Sequence, residues 1–277
     1  MSTTGPFDTG KELWLERLGN LRNVVRQEVV SRQLGDHLPR RGARVLDVGA
    51  GQGTQALRLA HLGHDVTALE PDRAMRDVLT AAVDRETFPS GGRVRVVDGR
   101  LGELPAAVTG TAYGVVLCHG VLMYLPESDT AVAELAARVA PGGMLSVLTR
   151  NAASMAWRPA ARGQWNAALA MLDELDVALA EGRDATYTNE IGSSARADRR
   201  DHLVAICQEA GLDLEAWYGV RIATDSVPAD TPVPGDREEL AAVFDLEERL
   251  GRTDPYRSMG SLMHLVARRA HAQAPAR

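Results

Sequence analysis

The chain has 277 residues, 45% hydrophobic and 25% charged, which suits one sizeable α/β domain carrying an insertion. Its 31 basic and 37 acidic side chains leave a net charge of -6, a balance that disfavours wrapping a long nucleic-acid backbone while leaving room for a local basic groove. Cys118 and Cys207, the two cysteines, stand outside any CxxC pair, so no metal site or disulfide framework is expected. No apolar run approaches the ~18 residues of a membrane span, and Met1–Gly10 lacks a leader pattern, so a cytoplasmic protein with no membrane partner is expected.

Residues 1–10 and about 270–277, rich in Thr, Gly, Ala and Pro, read as disordered ends. From Lys11 to Leu34, apolar residues at helical spacing (Leu15, Leu18, Val25, Val29, Val30) predict a helix stopped by Gly35. A regular alternation follows. Arg44–Val48 reads as a strand, and Thr54 as the cap of a helix closed by Gly63. Val66–Leu69 is a second strand, with Pro71 and Asp72 opening a helix through Met75, Val78 and Leu79. Val94–Val97 and Gly114–Cys118 are further strands, Thr130–Val139 a helix, and Gly143–Leu148 a fifth strand. Near-continuous apolar strands between amphipathic helices imply a mostly parallel sheet covered on both faces.

The alternation stops at Asn151. Between there and Asp198 no strand is expected: Trp165–Leu179 reads as a helix, followed by a polar stretch, Glu181–Ser194. This is an expected helical insertion over the sheet's C-terminal edge. A helix near Arg199–Ala210, a strand near Leu214–Ile222, a helix at about Glu238–Leu250 and a last strand, Ser261–Val266, complete the pattern. The whole is expected to be a single domain: a ligand-binding core over 11–150, the insertion over 151–198, and the rest of the sheet over 199–268.

The chemistry concentrates at Asp47-Val48-Gly49-Ala50-Gly51-Gln52-Gly53-Thr54, between a strand and a helix. Glycines there let backbone N–H groups approach a ligand at a helix N-terminus. A dinucleotide loop spaces its glycines as G-x-G-x-x-G. Here the third comes one position early, the spelling of S-adenosylmethionine sites, which hold no pyrophosphate. Glu70 closes the second strand, where a carboxylate accepts hydrogen bonds from both ribose hydroxyls. Gly49, Ala50, Gly51, Gly53, Glu70 and the adjoining Pro71 are therefore candidate cofactor residues. Arg100 and Leu101, after the third strand, stand at the usual place beside the adenine. Pro141-Gly142-Gly143 before strand five and the long connection before the last strand fit a methyltransferase sheet with a reversed final hairpin.

Further motifs sharpen this. Gly19-Asn20-Leu21-Arg22, Cys118-His119-Gly120-Val121-Leu122, Asn151, Gly219-Val220-Arg221, and Asp254-Pro255-Tyr256 with His264-Leu265-Val266-Ala267-Arg268 occur together. Over about residues 15–268 the chain resembles the bacterial tRNA carboxymethoxyuridine methyltransferase family, which methylates the carboxylate of a modified wobble uridine. The resemblance implies a class I, Rossmann-like methyltransferase fold with seven strands. It places Arg22 and His119 on the cofactor, and Arg22 is suited to the methionyl carboxylate. It also places Arg221 at the family's Gly-Val-Arg position.

A carboxylate acceptor is ionised at neutral pH and needs no general base, only a cation to orient it. Arg221 is the candidate clamp, with Tyr124, Arg150, Asn151 and Tyr256 as further acceptor-site candidates. A hydroxyl acceptor would need a base, and His119 is the histidine placed for that. Members acting on tRNA tend to carry a lysine-rich insertion, whereas Asp173 to Glu190 here holds six acids and one arginine, Arg183. Arg196, Arg199 and Arg200 form the compact basic group nearby, and the insertion's stacking aromatics are Trp165 and Tyr187. The expectation is thus an O-methyltransferase for a small acidic or hydroxylated molecule. The alternatives are a tRNA carboxyl methyltransferase and a non-catalytic cofactor-binding protein.

Overall fold

The computed structural model describes residues 19–189 and 192–271. The expected helical start Lys11–Leu18 and the end segments 1–10 and 272–277 lie outside the described residues. The first helix, α1 (Leu21–Gly35), is capped by Asn20, whose side chain accepts from the Asn23 N–H at 3.0 Å. The alternation then runs β1 (Arg44–Val48), α2 (Thr54–His61), β2 (Asp65–Leu69), α3 (Arg73–Val83), β3 (Arg93–Val97), the single turn α4 (Ala106–Thr109), β4 (Tyr113–His119), α5 (Asp129–Ala136) and β5 (Val139–Arg150).

Each strand of this half pairs in parallel. The sheet continues through β8 (Asp213–Val220) and β9 (Leu262–Arg268) to the order β3-β2-β1-β4-β5-β9-β8. The reversed last strand, β9, runs antiparallel between β5 and β8. This is the seven-stranded, mostly parallel α/β sheet expected from the pattern, with its order turning back between β1 and β4.

The two faces are legible along single strands. On β1, Val45 joins Leu34, Ala56, Leu59 and Leu79 beneath α1, α2 and α3. Leu46 and Val48 point the other way, to Val132 and Leu135 of α5 and to Leu203, Ile206 and Cys207 of α8 (Arg200–Glu209). The period of two thus feeds two apolar layers, the signature of a doubly wound sheet. Both cysteines are free and buried. Among the described residues, no helix is long and apolar enough to cross a membrane.

Between β5 and α8 the chain leaves the sheet. It forms α6 (Trp157–Ala161), α7 (Trp165–Ala180) and a two-stranded antiparallel hairpin, β6 (Ala185–Thr188) with β7 (Ser194–Ala197). The hairpin corrects the expectation of no strand here. Ala185, Tyr187 and Ala197 pack on Met171, Leu175 and Ala178 of α7 together with Met155, so the hairpin's partner is a helix of its own segment. The acids of the stretch hold it together: Glu174 accepts from Arg183 at 2.6 Å and from the Thr186 N–H at 2.8 Å. The last helix, α9 (Arg237–Arg252), packs on α1 and β8.

Candidate active site

The carboxyl ends of β1, β2 and β4 meet α1 at the crevice where the strand order reverses, the usual ligand position of an open α/β sheet. The pocket there is lined by Arg26, Val30, Asp47, the Gly49–Gln52 backbone, His119 and Leu148, among others. Gly49, at φ +71, donates its N–H to Leu69 O at 2.8 Å, and a Cβ on it would lie 2.3 Å from Val121 Cγ2. Gly53, at φ +90, is the N-cap of α2, and a Cβ there would lie 2.1 Å from Leu79 Cδ1. Both positions need glycine twice over, for the left-handed backbone and for the space. The cap expected of Thr54 thus falls one residue earlier and uses no side chain.

Glu70 is buried. Its Oε2 accepts from the Gly51 N–H at 2.8 Å and its Oε1 from the Asp72 N–H at 2.9 Å, so the carboxylate ties the glycine loop to the start of α3. Burial raises its pKa, and the two N–H groups partly offset that. Each oxygen retains a lone pair, which suits a vicinal diol. Asp47 sits below the loop, 3% exposed, and burial, with the charge of Glu70 second, pushes its pKa up to about 7.

At the far end of the pocket stands Arg26, one turn after Arg22 on α1. It has no carboxylate partner among the described residues. Burial first, and the nearby Arg221 second, lower its pKa to about 10. Arg22 is buried and donates to Val227 O at 2.9 Å, turning it toward the segment after β8. Helical periodicity alone gave Arg26 no distinction from other polar positions of α1; its lack of an anionic neighbour is a tertiary fact. His119, at the end of β4, binds Ser146 Oγ through Nε2 at 2.8 Å, and its Nδ1 is buried without a partner. Burial, with the charge of Arg26 second, drops its pKa to about 3, so it is neutral at physiological pH.

The acceptor-site candidates gather around Asp225. Arg158 forks onto it at 2.5 and 2.7 Å, and Arg221 also pairs with it. Burial opposes the ionisation of Asp225, but Arg221, Arg158 and Arg150 outweigh burial and hold its pKa well below the usual carboxylate range. Arg221 has φ +59, the one non-glycine residue at positive φ among those described, and its Nε is buried without a partner. Arg150 is buried 5.4 Å over the Tyr187 ring and donates to Ser261 O at 2.9 Å. Tyr124 packs with Val30, Leu148 and Val220, which joins the pocket to the residue before Arg221; burial, then Tyr187, raises its pKa to about 12.

Five candidates stand apart from these groups. The Asn151 side chain is taken up by backbone, donating to Ser258 O and Gly260 O at 2.9 Å each and accepting from Ala153 N–H at 3.1 Å. Tyr256 is half exposed on the turn before β9. Arg100 is exposed and paired with Glu103 at 2.7 Å, while Leu101 packs against the core beside it and Pro71 lies exposed after Glu70. Arg158 and Asp225, which had no motif to mark them, complete the arginine cluster.

The pocket fits S-adenosylmethionine on its own residues: a glycine cradle, an acid for a diol, an unpaired cation for a carboxylate, and Asp47 with a bare His119 nitrogen for an ammonium. The sheet and site define a class I S-adenosylmethionine-dependent methyltransferase, and the chain belongs to that family. Residues 46–147 match the family model described as a methyltransferase domain. The chain is 30% identical over 199 residues to the ubiquinone biosynthesis O-methyltransferase of Xylella fastidiosa, covering 72% of this chain and 71% of that protein. It is 22% identical to the tRNA 5-carboxymethoxyuridine methyltransferase of Escherichia coli, over 92% of this chain and 90% of the other. Magnesium protoporphyrin IX methyltransferase from Synechocystis, solved with bound S-adenosylhomocysteine, superposes with a TM-score of 0.56 at 15% identity, covering 95% of both chains.

Proposed function

We propose that this enzyme methylates a carboxylate oxygen of a small acidic acceptor. The observation that carries the reading is the arginine cluster of Arg150, Arg158 and Arg221 beside a pocket whose histidine, His119, is held neutral and is a poor base. When bound, the cofactor supplies a methyl group on a sulfonium centre, which an ionised oxygen takes without prior deprotonation. Gly49, Ala50, Gly51 and Gly53 bring backbone close to the cofactor. Glu70 accepts from its ribose, and Leu101 with Arg100 and Pro71 flanks the adenine. Arg26, supported by Arg22 behind it, holds the methionyl carboxylate, and Asp47 with His119 takes the ammonium.

Arg221, held in a left-handed conformation that costs about 1–3 kcal/mol, orients the acceptor. Arg150 and Tyr124 close the acceptor's side, Tyr256 supports it from the turn before β9, and Asn151, after β5, holds that turn through Ser258 O and Gly260 O. Catalysis of this kind is chiefly positioning, which the rigid strand ends provide. A neutral His119 with its pKa near 3 is a poor base, which favours carboxylate over hydroxyl.

The second reading, methylation of a carboxylate on tRNA, is favoured by the match to the Escherichia coli enzyme over 92% of this chain and 90% of the other. Against it stands the basic group at 196–200. Arg196 is buried on Asp198 at 2.8 Å and Asp184 at 3.3 Å, and Arg200 lies over the Trp217 ring at 4.6 Å.

One experiment separates these. The enzyme is incubated with methyl-labelled cofactor and a metabolite extract or bulk tRNA, and the product is treated with mild alkali. A carboxyl ester releases volatile labelled methanol. A label that resists alkali overturns the carboxylate reading, and label carried in RNA overturns the small-molecule one.

A further inference from the structure

Behind His119, a chain of buried polar groups runs across the face of the sheet that packs against α1. His119 Nε2 meets Ser146 Oγ at 2.8 Å, and Ser146 Oγ meets His264 Nε2 at 2.8 Å. His264 Nδ1 meets Gln33 Oε1 at 2.8 Å, and Gln33 Nε2 donates to Gly219 O at 3.3 Å. Ser146, His264 and Gln33 are essentially inaccessible to water. Ser146 lies on β5, His264 on β9 and Gln33 on α1, none of them in the glycine loop.

The direction of every bond follows from its far end. A backbone carbonyl only accepts, so Gln33 turns its NH2 to Gly219 and its oxygen to His264. His264 must then donate from Nδ1, which leaves Nε2 a bare lone pair. The single Ser146 hydroxyl proton goes to that lone pair, so the hydroxyl oxygen is free to accept from His119. His264 is held neutral by burial first and by His119 second, which the scheme requires. His119 is left carrying its proton on Nε2, with an unprotonated Nδ1.

We infer that Gln33, His264 and Ser146 are positioning residues that fix His119 as the Nε2–H tautomer, so that Nδ1 presents an acceptor to the α-ammonium group of the cofactor. This rests on the reading of the pocket as the cofactor's. With the opposite tautomer His119 would offer the ammonium an N–H, and two donors would face each other. Second-layer hydrogen bonds commonly select a histidine tautomer in this way. Here the selection starts at the Gly219 carbonyl, two residues before Arg221, so the acceptor side and the cofactor side share one chain.

The test uses protein labelled with 15N-histidine. Two-bond spectra report which ring nitrogen carries the proton, and His119→Gln removes the signals of that one ring among seven histidines. We expect His119 to be protonated at Nε2 in the ligand-free protein. Ser146→Ala and Gln33→Leu, two independent breaks in the chain, should each mix its tautomers. In both variants, affinity for S-adenosylhomocysteine should fall about tenfold, the loss expected for one hydrogen bond. Affinity for its analogue lacking the α-amino group should be unchanged. A proton on Nδ1 in the unaltered protein, an unmoved tautomer in both variants, or an equal loss for both ligands overturns the inference. Failure of the unaltered enzyme to bind S-adenosylhomocysteine in this pocket, shown by no shift of the His119 signals, overturns the pocket reading instead; the tautomer spectra still judge the chain.

Discussion

At the scale of single residues, charge and its burial decide what the site can hold. Glu70 uses one lone pair of Oε2 on the glycine loop and one of Oε1 on the Asp72 N–H, so removing it strands two backbone N–H groups as well as the ribose. Glu70→Ala should weaken cofactor binding by about 1–3 kcal/mol by calorimetry, and unchanged affinity would remove Glu70 from the site. Asp47 offers a test through pH. Its ordinary pKa is 3.8 and its buried value about 7, so the unfolded chain loses this proton first. The group therefore costs folding stability as pH rises from near 4 through about 7. Its ionised form is the one that attracts an ammonium, so cofactor affinity should rise through about pH 7, and Asp47→Asn should flatten that rise. A slope that survives the substitution places the titrating group elsewhere. Arg221→Leu should lower turnover about 10- to 100-fold with cofactor affinity retained, since the charged hydrogen bond to the acceptor is lost while Arg158 still pairs with Asp225. Undiminished turnover would end its role as a clamp. Glu70 was legible from its place at a strand end. Arg26 was not, because a helix sequence names several polar positions and does not say which of them lacks a counter-charge.

At the scale of elements, the glycine loop is the most constrained piece of the molecule. A methyl group on Gly49 would meet Val121, two residues beyond His119, and the backbone there is left-handed. Gly49→Ala should cost about 1–2 kcal/mol from conformation alone and more from the clash, seen as a lowered melting temperature together with lost cofactor binding. An unshifted melting curve would mean the loop has an alternative path. The sheet strands were readable because those buried on both faces are continuous apolar runs. The β6–β7 hairpin was not, since it is short and mostly polar. Its burial comes from α7, a partner that its own alternation cannot reveal. The helix cap was misplaced by one residue because Thr54 is a good capping side chain, whereas the loop ends on a left-handed Gly53.

At the scale of the whole molecule, the net charge of -6 and the enclosed arginines bear on the acceptor. Arg158, Arg183 and Arg196 of the insertion and Arg150 and Arg221 beside it all lie within internal pairs or stacks, leaving few cations there for a phosphate backbone. Titration with bulk tRNA at rising salt should therefore show no steep salt-dependent binding. A strong salt slope would favour the tRNA acceptor. The sequence by itself determined the class of fold and the cofactor, because both are written in local patterns: apolar runs of strand length, a glycine spacing that dictates backbone shape, and an acid at the next strand's end. Only the tertiary structure decided which cation faces the pocket, that Asn151 is taken up by backbone, and that Gly219, Gln33, His264 and Ser146 stand in line behind His119. Those facts depend on residues up to 231 positions apart meeting across β5, β9 and α1. Such meetings are set by packing and by the need of every buried polar group for a partner, which no local pattern records.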